Sequence, residues 1–231
     1  MPYALKVVEF LRPKASCDSA HDGDSIVVNI AVIDYGIGNL HSASNALNSL
    51  GADARLTNDP ATIRAADGVV LPGVGNFGAC MTALREAELE EETVAAALSD
   101  TPFLGICVGM QMLFDSSEES PGIAGLGVMN GAIKYLPTTV KRPQMQWNQL
   151  ESLGSDLVLG AEPDDRWMYF VHSLSAHPVD SSVITATVQY GGPVVAAVRT
   201  TRLLAVQFHP EKSGVAGLAL LRRWLNLEVG L

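Results

Sequence analysis

Between residues 29 and 114 the sequence alternates short β-branched apolar runs with stretches of helical period, and that alternation limits the fold more than any other feature. NIAVIDYG (29–36) is an apolar run that ends on a glycine, as a buried strand feeding a turn would. Residues 40–50 carry apolar side chains near helical spacing and stop at Gly51. Residues 52–56 and 68–71 read as strands, and Gly73, Gly75 and Gly78 as a loop ahead of one long helix over 79–98. Residues 101–106 are a further buried strand and 108–114 a helix. Strands joined through helices imply right-handed crossovers and a largely parallel sheet covered on both faces. Beyond about residue 125 the pattern turns β-rich, with strand-like runs at 127–136, 167–171, 183–190, 194–200 and 203–208 and a closing amphipathic helix at 215–225. The expected fold class is α/β: one domain over residues 29–231, with a mostly parallel central sheet flanked by helices and a β-rich C-terminal half. With 231 residues, nearly half of them hydrophobic, a single large core is feasible. Residues 13–25 are short of large apolar side chains and show no period, so residues 1–28 are expected to form a disordered extension.

Charge and cysteine usage exclude several classes. The formal net charge is −10 and no run of Lys or Arg relieves it, whereas phosphate binding needs a basic footprint, so no nucleic-acid partner is expected. No uninterrupted apolar run approaches the roughly 18 residues of a membrane span. Lys6 and Glu9 interrupt the apolar start and make it a poor signal peptide. Cys17, Cys80 and Cys107 are odd in number and widely spaced, giving neither a C-x-x-C metal pair nor a disulfide framework. That usage fits a reducing, cytoplasmic compartment. No metal or organic cofactor is called for.

Gly105-Ile106-Cys107-Val108-Gly109 is a G-x-C-x-G sequence where a strand meets a helix, the nucleophile-elbow arrangement with cysteine in place of serine. So tight a turn leaves little room for side chains at the flanking positions. It would lift the Cys107 sulfur above the sheet edge at a helix N-terminus, where the dipole favours thiolate, and aim the Val108 N–H at an oxyanion. Cys80, inside a helical stretch, reads as core and Cys17 as a tail residue.

A thiolate nucleophile needs a proton acceptor, and histidine is the usual one near neutral pH. Of five histidines, His209 follows the apolar run 203–208 directly, in Gln207-Phe208-His209-Pro210-Glu211. Two residues apart in an extended segment, His209 and Glu211 would share a side, with Pro210 disfavouring helical geometry at His209. Glu211 would then orient one imidazole nitrogen while the other faces Cys107.

With these residues in view the chain resembles the class I glutamine amidotransferases, through residues 102–111 (PFLGICVGMQ) and 205–211 (AVQFHPE). Residues 34–40 (DYGIGNL), 71–77 (LPGVGNF), 145–148 (MQWN) and 169–173 (YFVHS) narrow the resemblance to the glutaminase subunits of imidazole glycerol phosphate synthase. It runs from about Asn29 to the C-terminal helix. It implies hydrolysis of glutamine to glutamate through a Cys107 thioester, with ammonia passed to a partner cyclase, a (β/α)₈ barrel, in histidine biosynthesis. Carried over by motif, Cys107, His209 and Glu211 are catalytic. Gly73, Val74, Gly75 and Val108 would form the oxyanion hole, while Gln111, His172 and Ser173 would help hold substrate. Trp147 and Asn148 would face the partner. Gln111 as a solvated helix position and Trp147 as a core residue are the plainer alternatives. The chain departs from the family's P-H-M-G-W-N at Gln144 and Gln146, and has Val108 where leucine is more usual. Family members tend to begin near Asn29, so the preceding residues are also readable as an upstream over-extension.

Other readings are a glutaminase serving a different synthase, a non-catalytic subunit with the same fold, and a cysteine peptidase. The first lacks this combination of motifs, the second does not need an intact triad, and the third is disfavoured by the order nucleophile, histidine, acid.

Overall fold

The computed structural model describes residues 27–37, 40–152, 156–160 and 166–231. Most of the expected extension, with Cys17, lies outside the described residues, as do Gly38 and Asn39. Val28 does not belong to an extension: it is buried in the core, and its carbonyl accepts from Asp53 N–H at 2.9 Å.

The first half follows the expected alternation: β1 (Asn29–Ile33), α1 (Leu40–Ser49), β2 (Asp53–Thr57), α2 (Pro60–Arg64), β3 (Gly68–Gly73), α3 (Phe77–Glu86), α4 (Glu90–Leu98), β4 (Phe103–Cys107) and α5 (Val108–Met112). Two expectations are corrected here. The single helix over 79–98 is two helices, broken where Glu88 takes a left-handed backbone (φ 58°) and lets Leu89 turn fully into the core. The helix expected over 108–114 ends at Met112, because Phe114 opens a strand. Helix α2 is one turn that the apolar pattern does not reveal. Asp59 caps it by accepting from Ala61 and Thr62 N–H, and Pro60 supplies the preset φ of its first position.

The second half contains β5 (Phe114–Ser117), β6 (Met129–Tyr135), β7 (Gln144–Gln149), β8 (Glu151–Ser152), β9 (Trp167–His172), β10 (Leu174–Pro178), β11 (Ile184–Gln189), β12 (Pro193–Arg199), β13 (Leu203–Val206) and α6 (Gly214–Trp224). These strands are shared among three sheets. The central one has the order β2-β1-β3-β4-β13-β12-β11-β8 and is parallel from β2 to β13 and antiparallel beyond. The others are β10-β6-β5 and the antiparallel ribbon β7-β9. Only Ser173 separates β9 from β10.

Strands β3, β4 and β13 are buried along their whole length, as parallel strands covered on both faces must be. Their register places Gly73 beside Cys107 and Ile106 beside Val206, so the segments that follow all three leave the sheet at one edge. The carboxyl edge of parallel strands is where open α/β sheets carry their sites. Helix α5 lies almost directly on β3: a Cβ on Gly109 would stand 1.9 Å from the Leu71 carbonyl oxygen, and one on Gly73 would meet Gly109 N at 2.5 Å. Among the described residues no helix is long and apolar enough to cross a membrane.

Candidate active site

Cys107 ends β4 and caps α5 with φ 55° and ψ −111°, a conformation that costs a non-glycine residue about 1–3 kcal/mol. Its neighbours enforce it. Gly109 has no space for a side chain, whereas a Cβ on Gly105 would meet the Ala205 methyl at 3.1 Å, a tight contact that small shifts could relieve. The two glycines of the elbow are thus unequal. The turn opens Cys107 onto a cavity of about 340 Å³ lined also by Val74, Gly75, Val108, Gln111, His172 and His209. That volume suits a small metabolite, at the lower end of ligand pockets of roughly 300–1,000 Å³.

His209 follows β13 and is almost wholly buried. Its Nδ1 lies 2.8 Å from Glu211 Oε1, and both side chains are at most 4% exposed. The route differs from the expected extended segment: Pro210–Lys212 form a 3₁₀ turn, and His209 precedes it at φ −107° and ψ 93°. Ser213 fixes that turn by donating its hydroxyl to the His209 carbonyl at 2.6 Å. Burial alone would depress the His209 pKa, but hydrogen bonds to Cys107 and Glu211 and their charges outweigh it and push it up to about 9. At neutral pH the imidazole therefore keeps its proton, with Glu211 against its Nδ1.

Of the expected substrate residues, Val74, Gly75, Val108, Gln111, His172 and Ser173 line the cavity, while Gly73 lies outside the lining, beside Cys107 in the sheet. Gln111 is buried, not solvated, and its Nε2 donates to Gln207 Oε1 at 3.0 Å. Gln207 in turn points Nε2 at the Cys107 sulfur, 3.7 Å away. The sequence assigns no role to Gln207, although a glutamine inside the apolar run 203–208 is itself a signal. Glu119 also lines the cavity, anchored by Phe77 N–H at 2.7 Å, and no sequence pattern marks it. Behind the loop, Tyr35 donates its hydroxyl to the Pro72 carbonyl at 2.7 Å, and the Cys80 thiol donates to Val74 O at 3.3 Å. Burial raises the pKa of both groups, so both remain donors at neutral pH. Cys80 is core, as expected, yet it also orients the loop.

Trp147 and Asn148 lie on β7, outside the cavity lining. Trp147 is 50% exposed, which removes the core alternative, and it leans on Tyr169 with ring centroids 6.1 Å apart. Asn148, on the alternate face, donates to the Gln189 carbonyl at 3.0 Å.

A strained cysteine elbow with a buried histidine–glutamate pair on a parallel sheet defines an amidotransferase-type site. Residues 31–226 match the family model described as glutamine amidotransferase class-I, and the chain belongs to that family. Within it the chain is similar to the imidazole glycerol phosphate synthase subunits HisH. It is 49% identical to that of Synechococcus elongatus over 204 residues, covering 85% of this chain and 92% of the relative. It is 46% identical to that of Methanothermobacter thermautotrophicus over 199 residues, covering 86% and 98%. The fold is shared with the structure titled PurLQS from Thermotoga maritima, at TM-score 0.70 and 19% identity over 87% of this chain and 99% of that one.

The raised His209 pKa links this site to stability. A group whose folded pKa lies above its unfolded value stabilises fully below the unfolded pKa, about 6.5, and loses that contribution as pH rises through about 9. Glu211→Gln removes part of the shift. The unfolding free energy of wild type over Glu211→Gln, measured by urea denaturation, is expected to be largest near pH 6 and to shrink by about 1–3 kcal/mol by pH 9.5. A gap independent of pH would show that Glu211 does not hold the proton on His209.

Proposed function

We propose that this chain hydrolyses glutamine to glutamate and ammonia through a γ-glutamyl thioester on Cys107 and passes the ammonia to the cyclase subunit of imidazole glycerol phosphate synthase, in histidine biosynthesis. The observation that carries the reading is a buried His209–Glu211 pair whose histidine shares one cavity with a cysteine held in an elbow. The Cys107 thiolate attacks the carboxamide carbon, and charge develops on the oxygen. Val108 N–H, at the first position of α5 where no preceding turn offers an acceptor, and an N–H of the loop 73–75 take up that charge. Imidazolium His209 protonates the leaving nitrogen, the C–N bond breaks and ammonia departs. Neutral His209 then takes a proton from water, whose attack on the thioester expels the sulfur, releases glutamate and restores the Cys107 thiolate beside imidazolium His209. Gln207 steadies the sulfur throughout, and the Glu119 carboxylate suits the substrate's α-ammonium group. No step calls on a cofactor.

The partner face is assigned to the outer side of the ribbon β7-β9. Met145, Trp147 and Trp167 are exposed large apolar side chains there, and exposed aromatic residues are the usual anchors of interfaces. The expected partner is the (β/α)₈ cyclase. Asn148, bonded within its own chain, would support Trp147 from the opposite face of the strand.

Two outcomes test the reading. Cys107→Ala is expected to abolish glutamine-dependent synthesis by the reconstituted pair while leaving synthesis from free ammonia intact. Retained glutamine-dependent synthesis would remove Cys107 as nucleophile. Trp147→Ala is expected to weaken association with the cyclase by about 1–3 kcal/mol, read by calorimetry, with an unchanged circular dichroism spectrum. Unaltered affinity would place the interface elsewhere.

A further inference from the structure

Gln144 and His172 face each other across the ribbon β7-β9 as directly paired residues, both on its buried side. His172 walls the glutamine cavity, and Gln144 directly follows Pro143, which lines it too. The hydrogen-bonding inventory of the pair does not close as the atoms stand. His172 Nδ1 lies 2.7 Å from the Leu174 carbonyl oxygen, which can only accept, so Nδ1 carries the proton. In a neutral ring Nε2 is then an acceptor, yet it faces Gln144 Oε1, another acceptor, at 3.1 Å. Gln144 Nε2 is meanwhile buried without a partner.

Two arrangements resolve this. A doubly protonated His172 would donate to both oxygens, but it would put a buried cation beside His209, itself the protonated partner of Cys107 and Glu211. Burial and the His209 charge both act against it, only the Leu174 carbonyl favours it, and the His172 pKa falls to about 4. The alternative is a half-turn of the carboxamide, which exchanges its oxygen and nitrogen at nearly the same two positions. Nε2 of Gln144 then donates to Nε2 of His172, and the buried position left over goes to an oxygen, for which a missing partner is better tolerated.

We propose that Gln144 is a positioning residue of the glutamine site: its amide N–H donates to His172 Nε2 and holds that ring neutral and fixed as a wall of the cavity. The ring is clamped at both nitrogens, between Gln144 and Leu174, and Phe170 packs against it with centroids 5.7 Å apart. The charged or titratable groups around it are His209, with its partners Glu211 and Cys107, and the cavity-lining Glu119 and Lys212. A neutral His172 leaves the proton of the site on His209. The inference rests on the glutaminase reading only for its kinetic consequence; the pairing itself is a statement about protons.

The test uses the full chain. In ¹⁵N imidazole spectra, wild-type His172 is expected to show Nδ1–H and an unprotonated, hydrogen-bonded Nε2, with no titration between about pH 5.5 and 8. An Nε2–H tautomer, or titration in that interval, would overturn the proposal whether or not any variant folds. Gln144→Glu replaces the donor by an obligatory acceptor and is expected to drive a proton onto His172 Nε2. The KM for glutamine should rise roughly tenfold, with kcat changing far less. Gln144→His, which keeps an N–H donor, should recover most of that loss. Equal KM values for wild type and Gln144→Glu would contradict the positioning role. If wild type fails to hydrolyse glutamine at all, the functional reading falls while the spectra still decide the pairing.

Discussion

The site depends on one steric constraint, the near-contact of α5 with the backbone of β3. Gly109 sits so close to the Leu71 carbonyl that no side chain fits between them. This approach forces the chain to turn within a single residue at Cys107, which accepts a positive φ to do so. The strain has consequences in three directions. It puts Cys107 at the end of β4 rather than on a loop, with the Val108 N–H next in the chain at the start of α5. It also places both beside the loop after β3, which is registered to Cys107 through Gly73.

Electrostatics then builds on that geometry. The sulfur, His209 and Glu211 form a line of buried groups, and each makes sense only with the next. Burying Glu211 without His209 would leave an unpaired carboxylate, and burying His209 without Cys107 and Glu211 would push its pKa below the ordinary histidine value. Even the neighbouring ring follows the rule, since His172 in the same cavity is uncharged where His209 is charged. Two histidines in one pocket are thus driven to opposite protonation states: Cys107 and Glu211 hold the proton on His209 against burial, whereas burial and the charge of His209 remove it from His172 despite the Leu174 carbonyl.

Much of this is legible in the sequence because it is local. The elbow shows in five consecutive residues, and the parallel half shows in runs that are apolar throughout because both faces are covered. What the sequence hides is non-local or inverted. Gln144–Gln149 does not read as a strand because its buried face begins with a glutamine while its outer face carries Met145 and Trp147. The break at Glu88 carries no glycine or proline and is set by the burial of Leu89. His209 and Glu211 are identifiable as a pair, but a 3₁₀ turn stapled by Ser213 brings them together, not an extended segment. Gln207 meets the Cys107 sulfur and Glu119 the first N–H of α3 through contacts 100 and 42 residues distant in sequence, beyond any local pattern.

The most direct measurement is of the covalent intermediate. Intact-protein mass spectrometry of wild type, acid-quenched during turnover with the partner cyclase present, is expected to show one γ-glutamyl adduct. Peptide mapping should place it on Cys107, with Cys80 unmodified. Turnover of glutamine without an adduct, or with the adduct on any other residue, would contradict the assignment of Cys107 as the nucleophile.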